Sequence, residues 1–176
     1  IEAAKLVEEG FGTTAQIDAV AKNVFNIGLG PFALMNLTGP AIAMKSADSL
    51  SDSLGVKRFA SPNNLRELVS NGADWEISED EEVDEYNTQL IRDRLLGVVF
   101  CIASRIVEED VCSLEDVDRG AKVGLRWVEG PFELMNNVGL DEAWRMASSY
   151  ASLCGSDYKL PKFFEERSQS KEEFVF

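Results

Sequence analysis

The sequence contains no histidine. This absence excludes from the chain any catalytic triad built on His, any metal site with His ligands and any His general base. Basic residues are also scarce, because 17 Lys and Arg stand against 31 Asp and Glu and give a formal net charge of −14. An acidic surface repels phosphate backbones and anionic lipid headgroups, so neither nucleic acid nor a membrane is an expected partner.

Long apolar runs are absent as well. The longest, residues 95–103, has nine residues, whereas a membrane helix needs about 20. No basic segment followed by an apolar stretch opens the chain, so no signal peptide is visible and we expect a cytoplasmic protein. The first residue is Ile1 and a helical pattern starts at once. We therefore expect a fragment, or a chain whose first residues are disordered.

Cysteine is rare, with only Cys101, Cys112 and Cys154. Their number is odd and no Cys-x-x-Cys pair occurs. This usage is typical of small apolar side chains in a reducing compartment. The 176 residues suffice for one domain or two small ones, with a core that needs neither disulfides nor metal.

What the sequence does contain is a tandem repeat with an offset of one hundred residues. Residues 1–44 and 101–144 share 15 identical positions without a gap, where background amino-acid usage would give about 3. The identities include, each with a partner one hundred positions later, Glu8-Glu9, Asp18, Ala21-Lys22, Gly30-Pro31-Phe32, Leu34-Met35-Asn36 and Gly39.

The boundary between the repeats is predicted at an acidic block, SEDEEVDEY, which covers residues 78–86. We interpret this block as a solvated linker or as an acidic first helical turn. It lacks the glycine turn of a calcium loop, which argues against a metal site. The predicted domains are a first repeat over 1–77 and, over 78–176, the linker followed by the second repeat.

Each half reads as a series of short helices, and no segment shows the alternation of a strand. Residues 1–9 form the first helix and end before Gly10. Thr13-x-x-Gln16 and, more weakly, Ser113-x-x-Asp116 predict capped helix starts. Pro31 and Pro131 suit the first positions of further helices. The predicted fold class is all-α.

Further helices are expected from Gly39-Pro40 to about Ser53, from Ser61-Pro62 to Asn71-Gly72, and over about 81–109. The last is long, yet its counterpart in the first repeat is only Ile1 to Glu9. By the repeat offset, the stretch that matches Tyr86 to Phe100 would precede Ile1. We therefore expect that the first repeat is truncated and leaves an apolar groove uncovered, which favours self-association.

The candidate site is the corner Gly28-Leu29-Gly30-Pro31. The proline directly after the second glycine argues against a dinucleotide fingerprint. Two interpretations remain, a packed helix–loop–helix corner or a loop that lines a ligand groove. Asp18 and Asp118 are expected to complement the dipoles of their own helices or to hydrogen-bond locally, with catalysis as the alternative. Met35 and Met135 are expected in the core.

The order of short motifs along each half of the chain resembles that of a known family. The first half contains Glu2-Ala3, Leu6-Val7-Glu8-Glu9-Gly10, Ile17-Asp18, Gly28-Leu29-Gly30-Pro31-Phe32-Ala33-Leu34-Met35 and Gly39. The second half contains Val107-Glu108-Glu109, Val117-Asp118, Gly130-Pro131-Phe132-Glu133-Leu134-Met135 and Gly139-Leu140-Asp141. Twice over, this order resembles the C-terminal domain of 3-hydroxyacyl-CoA dehydrogenases.

The resemblance implies two homologous helical repeats packed about a pseudo-twofold axis, in a fold like the C-terminal domain of 6-phosphogluconate dehydrogenase. It implies an enzyme that oxidises (S)-3-hydroxyacyl-CoA to 3-oxoacyl-CoA with NAD in fatty-acid β-oxidation. The implied partners are an upstream Rossmann domain, which carries NAD and the family's His–Glu pair, a fused enoyl-CoA hydratase domain, and a second copy in a homodimer.

For this chain the resemblance implies no catalytic residue, no bound cofactor and no metal. The family's Asn on the first helix would precede Ile1 in the first repeat, and Asp93 replaces it in the second. A carboxylate cannot donate the hydrogen bond that an amide offers, so the second repeat is expected to be a structural copy. Gly30, Pro31 and Phe32 are the residues expected to line the substrate cleft.

The sequence departs from the family pattern at a few positions. Ile1 replaces an Asn, Ala33 replaces a Glu, and Asn36 and Asn136 replace an Asp. An alternative function is a stand-alone helical interaction module of the same fold without catalysis. A further alternative is a relative in the same superfamily that oxidises another 3-hydroxy acid.

Overall fold

The computed structural model describes residues 1–78 and 84–175, and regular structure within these ranges is entirely helical. This confirms the predicted all-α class. The helices are α1 (Glu2–Glu8), α2 (Thr14–Phe25), α3 (Pro31–Thr38), α4 (Pro40–Leu54), α5 (Asn63–Ser70), α6 (Glu85–Glu108), α7 (Leu114–Gly124), α8 (Pro131–Val138), α9 (Leu140–Cys154) and α10 (Lys162–Ser170), with a 3₁₀ turn at Lys57–Phe59 between α4 and α5.

The chain forms two compact units. The first comprises Ile1–Val24 and Gly28–Arg92, and the second comprises Phe25–Ile27 and Asp93–Phe176. Residues 79–83, which hold most of the acidic block and part of the predicted start of α6, lie outside the described residues. The predicted boundary at 77/78 and the pseudo-twofold packing both stay predictions.

Helix boundaries recur at the offset of the sequence repeat. The starts of α2, α3 and α4 at residues 14, 31 and 40 reappear as the starts of α7, α8 and α9 at 114, 131 and 140. α1 corresponds to the last two turns of α6, and α5 to α10 with a shift of one residue. The internal identities therefore correspond to recurring secondary structure within each unit.

Local chemistry explains several helix ends. The N–H of Thr13 donates to Gln16 Oε1 at 3.0 Å and the N–H of Gln16 donates to Thr13 Oγ1 at 3.3 Å, which confirms the capping box. Ser113 Oγ accepts from the N–H of Asp116 at 3.1 Å. Gly10 follows α1 with φ +80°, a conformation that favours glycine.

The start of the long helix differs from the prediction. α6 begins at Glu85 because the Asp84 carboxylate accepts the N–H of Asn87 at 3.0 Å and so caps the helix. The 3₁₀ turn was not predicted. Its Arg58 forms ion pairs with Glu2 and Glu9 of α1, and such contacts between distant segments leave no local signature.

Each unit buries its own apolar set. In the first unit it includes Leu6, Ile17, Phe32, Met35 and Leu65, and in the second Leu96, Phe100, Phe132, Met135, Met146 and Phe164. The core positions predicted for Met35 and Met135 are confirmed. Cys101 is buried, Cys112 and Cys154 are partly exposed, and no disulfide joins the three. Within 1–78 and 84–175, no helix is long and apolar enough to cross a membrane.

Candidate functional site

The candidate site of the first unit is the corner where the loop after α2 enters α3. Asp18, a buried residue of α2, points its carboxylate at the N-terminus of α3. Its Oδ1 accepts the N–H of Phe32 at 2.8 Å and its Oδ2 accepts the N–H of Ala33 at 3.0 Å. Both oxygens therefore satisfy amides that have no partner inside a helix.

Gly30 is required at this corner by contact with that carboxylate. A Cβ atom added to Gly30 would lie 2.3 Å from Asp18 Cγ and 2.5 Å from Asp18 Oδ1. The backbone of Gly30 has φ −73° and ψ 169°, which any residue can adopt. Space, rather than backbone strain, therefore excludes a side chain here. The packed-corner interpretation describes what the structure shows.

Phe32 lies behind the corner in the core and has no exposed surface. Its ring packs edge-on against Trp75, with ring centroids 4.9 Å apart. Asn36 fixes the Trp75 segment, because Asn36 Nδ2 donates to the Trp75 carbonyl and the Trp75 N–H donates to Asn36 Oδ1, both at 2.9 Å. An amide side chain is needed for this pair, since a carboxylate could only accept.

The second unit builds the same corner with the same chemistry. Asp118 Oδ1 accepts the N–H of Phe132 at 2.8 Å and Asp118 Oδ2 accepts the N–H of Glu133 at 2.9 Å. Phe132 packs edge-on against Phe174 at 4.9 Å. Asn136 exchanges two hydrogen bonds of 2.9 Å with the Phe174 backbone.

Burial raises the pKa of both capping carboxyls above the ordinary value. For Asp18, desolvation outweighs the two amide hydrogen bonds and Lys22, which lower the pKa. For Asp118, desolvation is again the largest cause, and the neighbouring Glu133 carboxylate raises the pKa further. The direction is the same in both units, as their matching surroundings require.

The role of these aspartates differs from the expectation. The sequence predicts that they complement the dipoles of their own helices or hydrogen-bond locally, whereas Asp18 in α2 caps α3 and Asp118 in α7 caps α8. The reason is the length of the intervening loop, which brings the next helix end to the middle of the preceding helix.

The three residues predicted to line the cleft differ in their exposure to solvent. Gly30 and Phe32 are buried, and Pro31 is partly exposed. Their role in lining a substrate cleft stays a prediction. Trp75 and Phe174 were not predicted as parts of the corner, because they are 99 rather than 100 positions apart and so fall outside the repeat offset. The one sequence signal for them was the recurrence of Asn36 as Asn136, because each amide side chain binds the backbone of one of these aromatic residues.

The family model described as 3-hydroxyacyl-CoA dehydrogenase, C-terminal domain, matches residues 1–80 and 91–173. The chain belongs to this family. The crystal structure of 3-hydroxybutyryl-CoA dehydrogenase from Escherichia coli K12 matches with a TM-score of 0.79 at 14% identity, over 97% of this chain and 57% of that one. At such identity the match establishes the fold alone, and this chain spans little more than half of that protein. No curated protein matches it in sequence.

Within this dehydrogenase-domain family, the resemblance placed a substrate-contacting Asn at the position of Asp93. The Asp93 carboxylate here forms an ion pair with Arg145, which also binds Glu142 with Nη2–Oε1 at 2.6 Å. The hydrogen bonds that Arg145 donates to Glu142 and Asp93 raise the pKa of its guanidinium above the ordinary value. Asp93 is therefore engaged in a contact between α6 and α9.

The two corners of this dehydrogenase-family chain carry different surfaces. Five positions around the corner are apolar in the first unit and polar in the second. They pair as Leu29 with Glu129, Ala33 with Glu133, Leu37 with Asn137, Ala41 with Asp141 and Ile42 with Glu142. Leu37 and Ile42 are 74% and 62% exposed. The two units thus share the packing of the corner and differ in the side chains at its surface.

A metal site depends on the arrangement of possible ligand side chains. Across the residues that the structure describes, no group of three or more Cys, Asp or Glu side chains is arranged to hold a metal ion.

Proposed function

We propose that the chain is the helical, substrate-side part of an enzyme that oxidises (S)-3-hydroxyacyl-CoA to 3-oxoacyl-CoA with NAD in fatty-acid β-oxidation. The observation that carries this proposal is the family match over both repeats. The family is one of oxidoreductases, and the fold agrees with that of a 3-hydroxybutyryl-CoA dehydrogenase.

The candidate corner at the N-terminus of α3 does not fit NAD. A dinucleotide needs free amides at a helix N-terminus for its pyrophosphate. At α3 the amides of Phe32 and Ala33 already donate to Asp18, so a pyrophosphate would meet a carboxylate instead of donors. We therefore assign hydride transfer to a separate dinucleotide-binding domain.

The proton step is assigned outside the chain for a second reason. Proton abstraction near neutral pH needs a base with a pKa near that pH. The chain has no histidine, and Asp18 and Asp118 are both engaged with backbone amides. We propose that the chain alone is inactive.

The contribution of this chain would be to shape the acyl and pantetheine side of the cleft at Gly30, Pro31 and Phe32. Because the Phe32 ring is buried, it would act by holding the corner rigid. Contact with substrate would then come from Pro31 and from neighbouring exposed side chains such as Leu29 and Leu34. Apolar side chains of this kind suit an acyl chain.

The proposed partners follow from the same assignment. They are an upstream Rossmann domain, a fused enoyl-CoA hydratase domain and a second copy in a homodimer, all in the cytoplasm. The exposed Leu37 and Ile42 support a protein partner at the first corner, since exposed apolar clusters mark interaction surfaces.

The test compares this chain with the same chain joined to a Rossmann domain of the dehydrogenase family, including the first-helix segment that carries the family's Asn. Turnover of 3-hydroxybutyryl-CoA is followed through NADH absorbance. We expect no turnover above the blank for the chain alone and measurable turnover for the joined protein. As a matched pair, Leu29→Glu should reduce the joined activity, and Glu129→Leu, at the equivalent position of the second unit, should not. Turnover by the chain alone would overturn the assignment.

A further inference from the structure

One face of α4 carries small and apolar side chains, of which Ala43 is partly exposed and the others are exposed to solvent. Its members Ala43, Ser46, Leu50 and Leu54 follow helical spacing. Leu50 and Leu54 are 54% and 57% exposed, and Ser46 is exposed as well. Two exposed leucines one helical turn apart contribute no burial to the stability of the isolated chain. Neighbouring exposed apolar side chains of this kind mark an interaction surface.

The second unit shows what lies on the equivalent face. At the matching positions of α9, Ala143, Met146 and Tyr150 are almost completely buried. α6 covers them at very short range. A Cβ atom added to Gly97 of α6 would lie 2.5 Å from the carbonyl oxygen of Met146 and 3.3 Å from Tyr150 Cβ. The two helix backbones therefore touch at Gly97.

The covering part of α6 is continuous with the counterpart of α1. α1 (Glu2–Glu8) matches residues 102–108 at the end of α6, and the segment that covers α9 precedes them in the same helix. We infer that the face of α4 formed by Ala43, Ser46, Leu50 and Leu54 is the docking surface for an α-helix in line with α1, with a glycine at the crossing point.

The chemistry of the occupant follows from the side chains that face it. Ala43 and Ser46 are small and leave room for a close helix crossing, while Leu50 and Leu54 supply the apolar contact. Lys45 stands where Arg145 stands in the second unit, and Arg145 pairs with Asp93, four residues before Gly97. The occupant should therefore carry an acidic residue one turn before its glycine, facing Lys45.

The experiment extends the full chain at its N-terminus with a copy of its own residues 86–100, YNTQLIRDRLLGVVF. The repeat offset places this copy directly before Ile1. Burial of the face should raise the midpoint of thermal unfolding by about 5 °C or more. An unchanged midpoint would overturn the inference.

Two controls separate docking from a general effect of a longer helix. The same extension with Gly97→Leu in the copy has the higher helix propensity, but its side chain would collide with the α4 backbone. It should give no gain. An equal gain with this variant would contradict close-range docking.

The second control changes the face itself. Leu50→Asp should shift the midpoint of the unextended chain by less than about 2 °C, because the residue is exposed. In the extended chain it should remove most of the gain. A gain that survives Leu50→Asp would mean that the helix lies elsewhere. The readout is stability alone, so it is independent of the proposed function.

Discussion

At the scale of single residues, the corner is a contact between one carboxylate and one glycine. Asp18 needs both α3 amides within reach, and Gly30 gives the room for this. The same pair recurs as Asp118 and Gly130, where an added Cβ would again lie 2.3 Å from the carboxyl carbon. The Gly-Pro-Phe motif is therefore explained by packing in both units.

Replacing Gly30 tests this explanation. Gly30→Ala should lower the free energy of unfolding by about 2–3 kcal/mol, since the methyl group displaces the Asp18 carboxylate from the helix end. Urea unfolding measures the change. Gly28→Ala is the matched control, because a Cβ on Gly28 would meet no atom within 4 Å. Equal effects of the two substitutions would refute the packing argument.

Glu133 adds a pH-dependent contact that the first unit lacks. Its carboxylate binds Lys122 and accepts the Gly130 N–H at 2.8 Å, and these contacts, led by Lys122, lower the pKa of Glu133 below its ordinary value. A lowered pKa means that its stabilisation is present above the unfolded-state pKa and is lost as the pH falls through the folded-state pKa.

Glu133→Gln should therefore destabilise the protein more at about pH 7 than at about pH 4. Urea unfolding at both pH values gives the comparison. Glu166→Gln, at an exposed position of α10, should show little change at either pH. A cost for Glu133→Gln that is the same at both pH values would argue that its charge contributes nothing.

At the scale of elements, helix starts with local signals could be predicted and those held by distant contacts could not. Pro31 and Ser113 mark α3 and α7 within a few residues of sequence. The caps from Asp18 and Asp118 reach 14 and 15 residues along the chain. Such distances carry no periodic signature, so the sequence indicated the corner but not what closes it.

The backbone of the C-terminal segment is hydrogen-bonded to α8 through the side chain of Asn136, beside the packing of the Phe174 ring on Phe132. Asn136→Asp keeps the acceptor for the Phe174 N–H and removes the donor to its carbonyl. The segment after Lys171 should detach more often, so trypsin should cleave there several-fold faster, as followed by mass spectrometry. Asn23→Asp on the exposed side of α2 is the control. Unchanged cleavage would show that Asn136 does not hold the segment.

At the scale of the whole molecule, the two repeats share buried residues and differ in the residues at their surfaces. The interior could be predicted from the repeat, because identical residues such as Phe32 and Phe132 are buried alike. The contrast between the apolar first corner and the polar second corner could be recognised only once the exposure of the side chains was known. The repeat therefore predicted what the units share, and the structure showed where they differ.

The central claim is that this dehydrogenase-family chain serves the substrate side and leaves NAD to another domain. Titration calorimetry of the chain with NADH tests it most directly, because both α3 and α8 have their N-terminal amides occupied by aspartate. The account predicts no saturable heat up to about millimolar NADH. Saturable binding at micromolar NADH would contradict it.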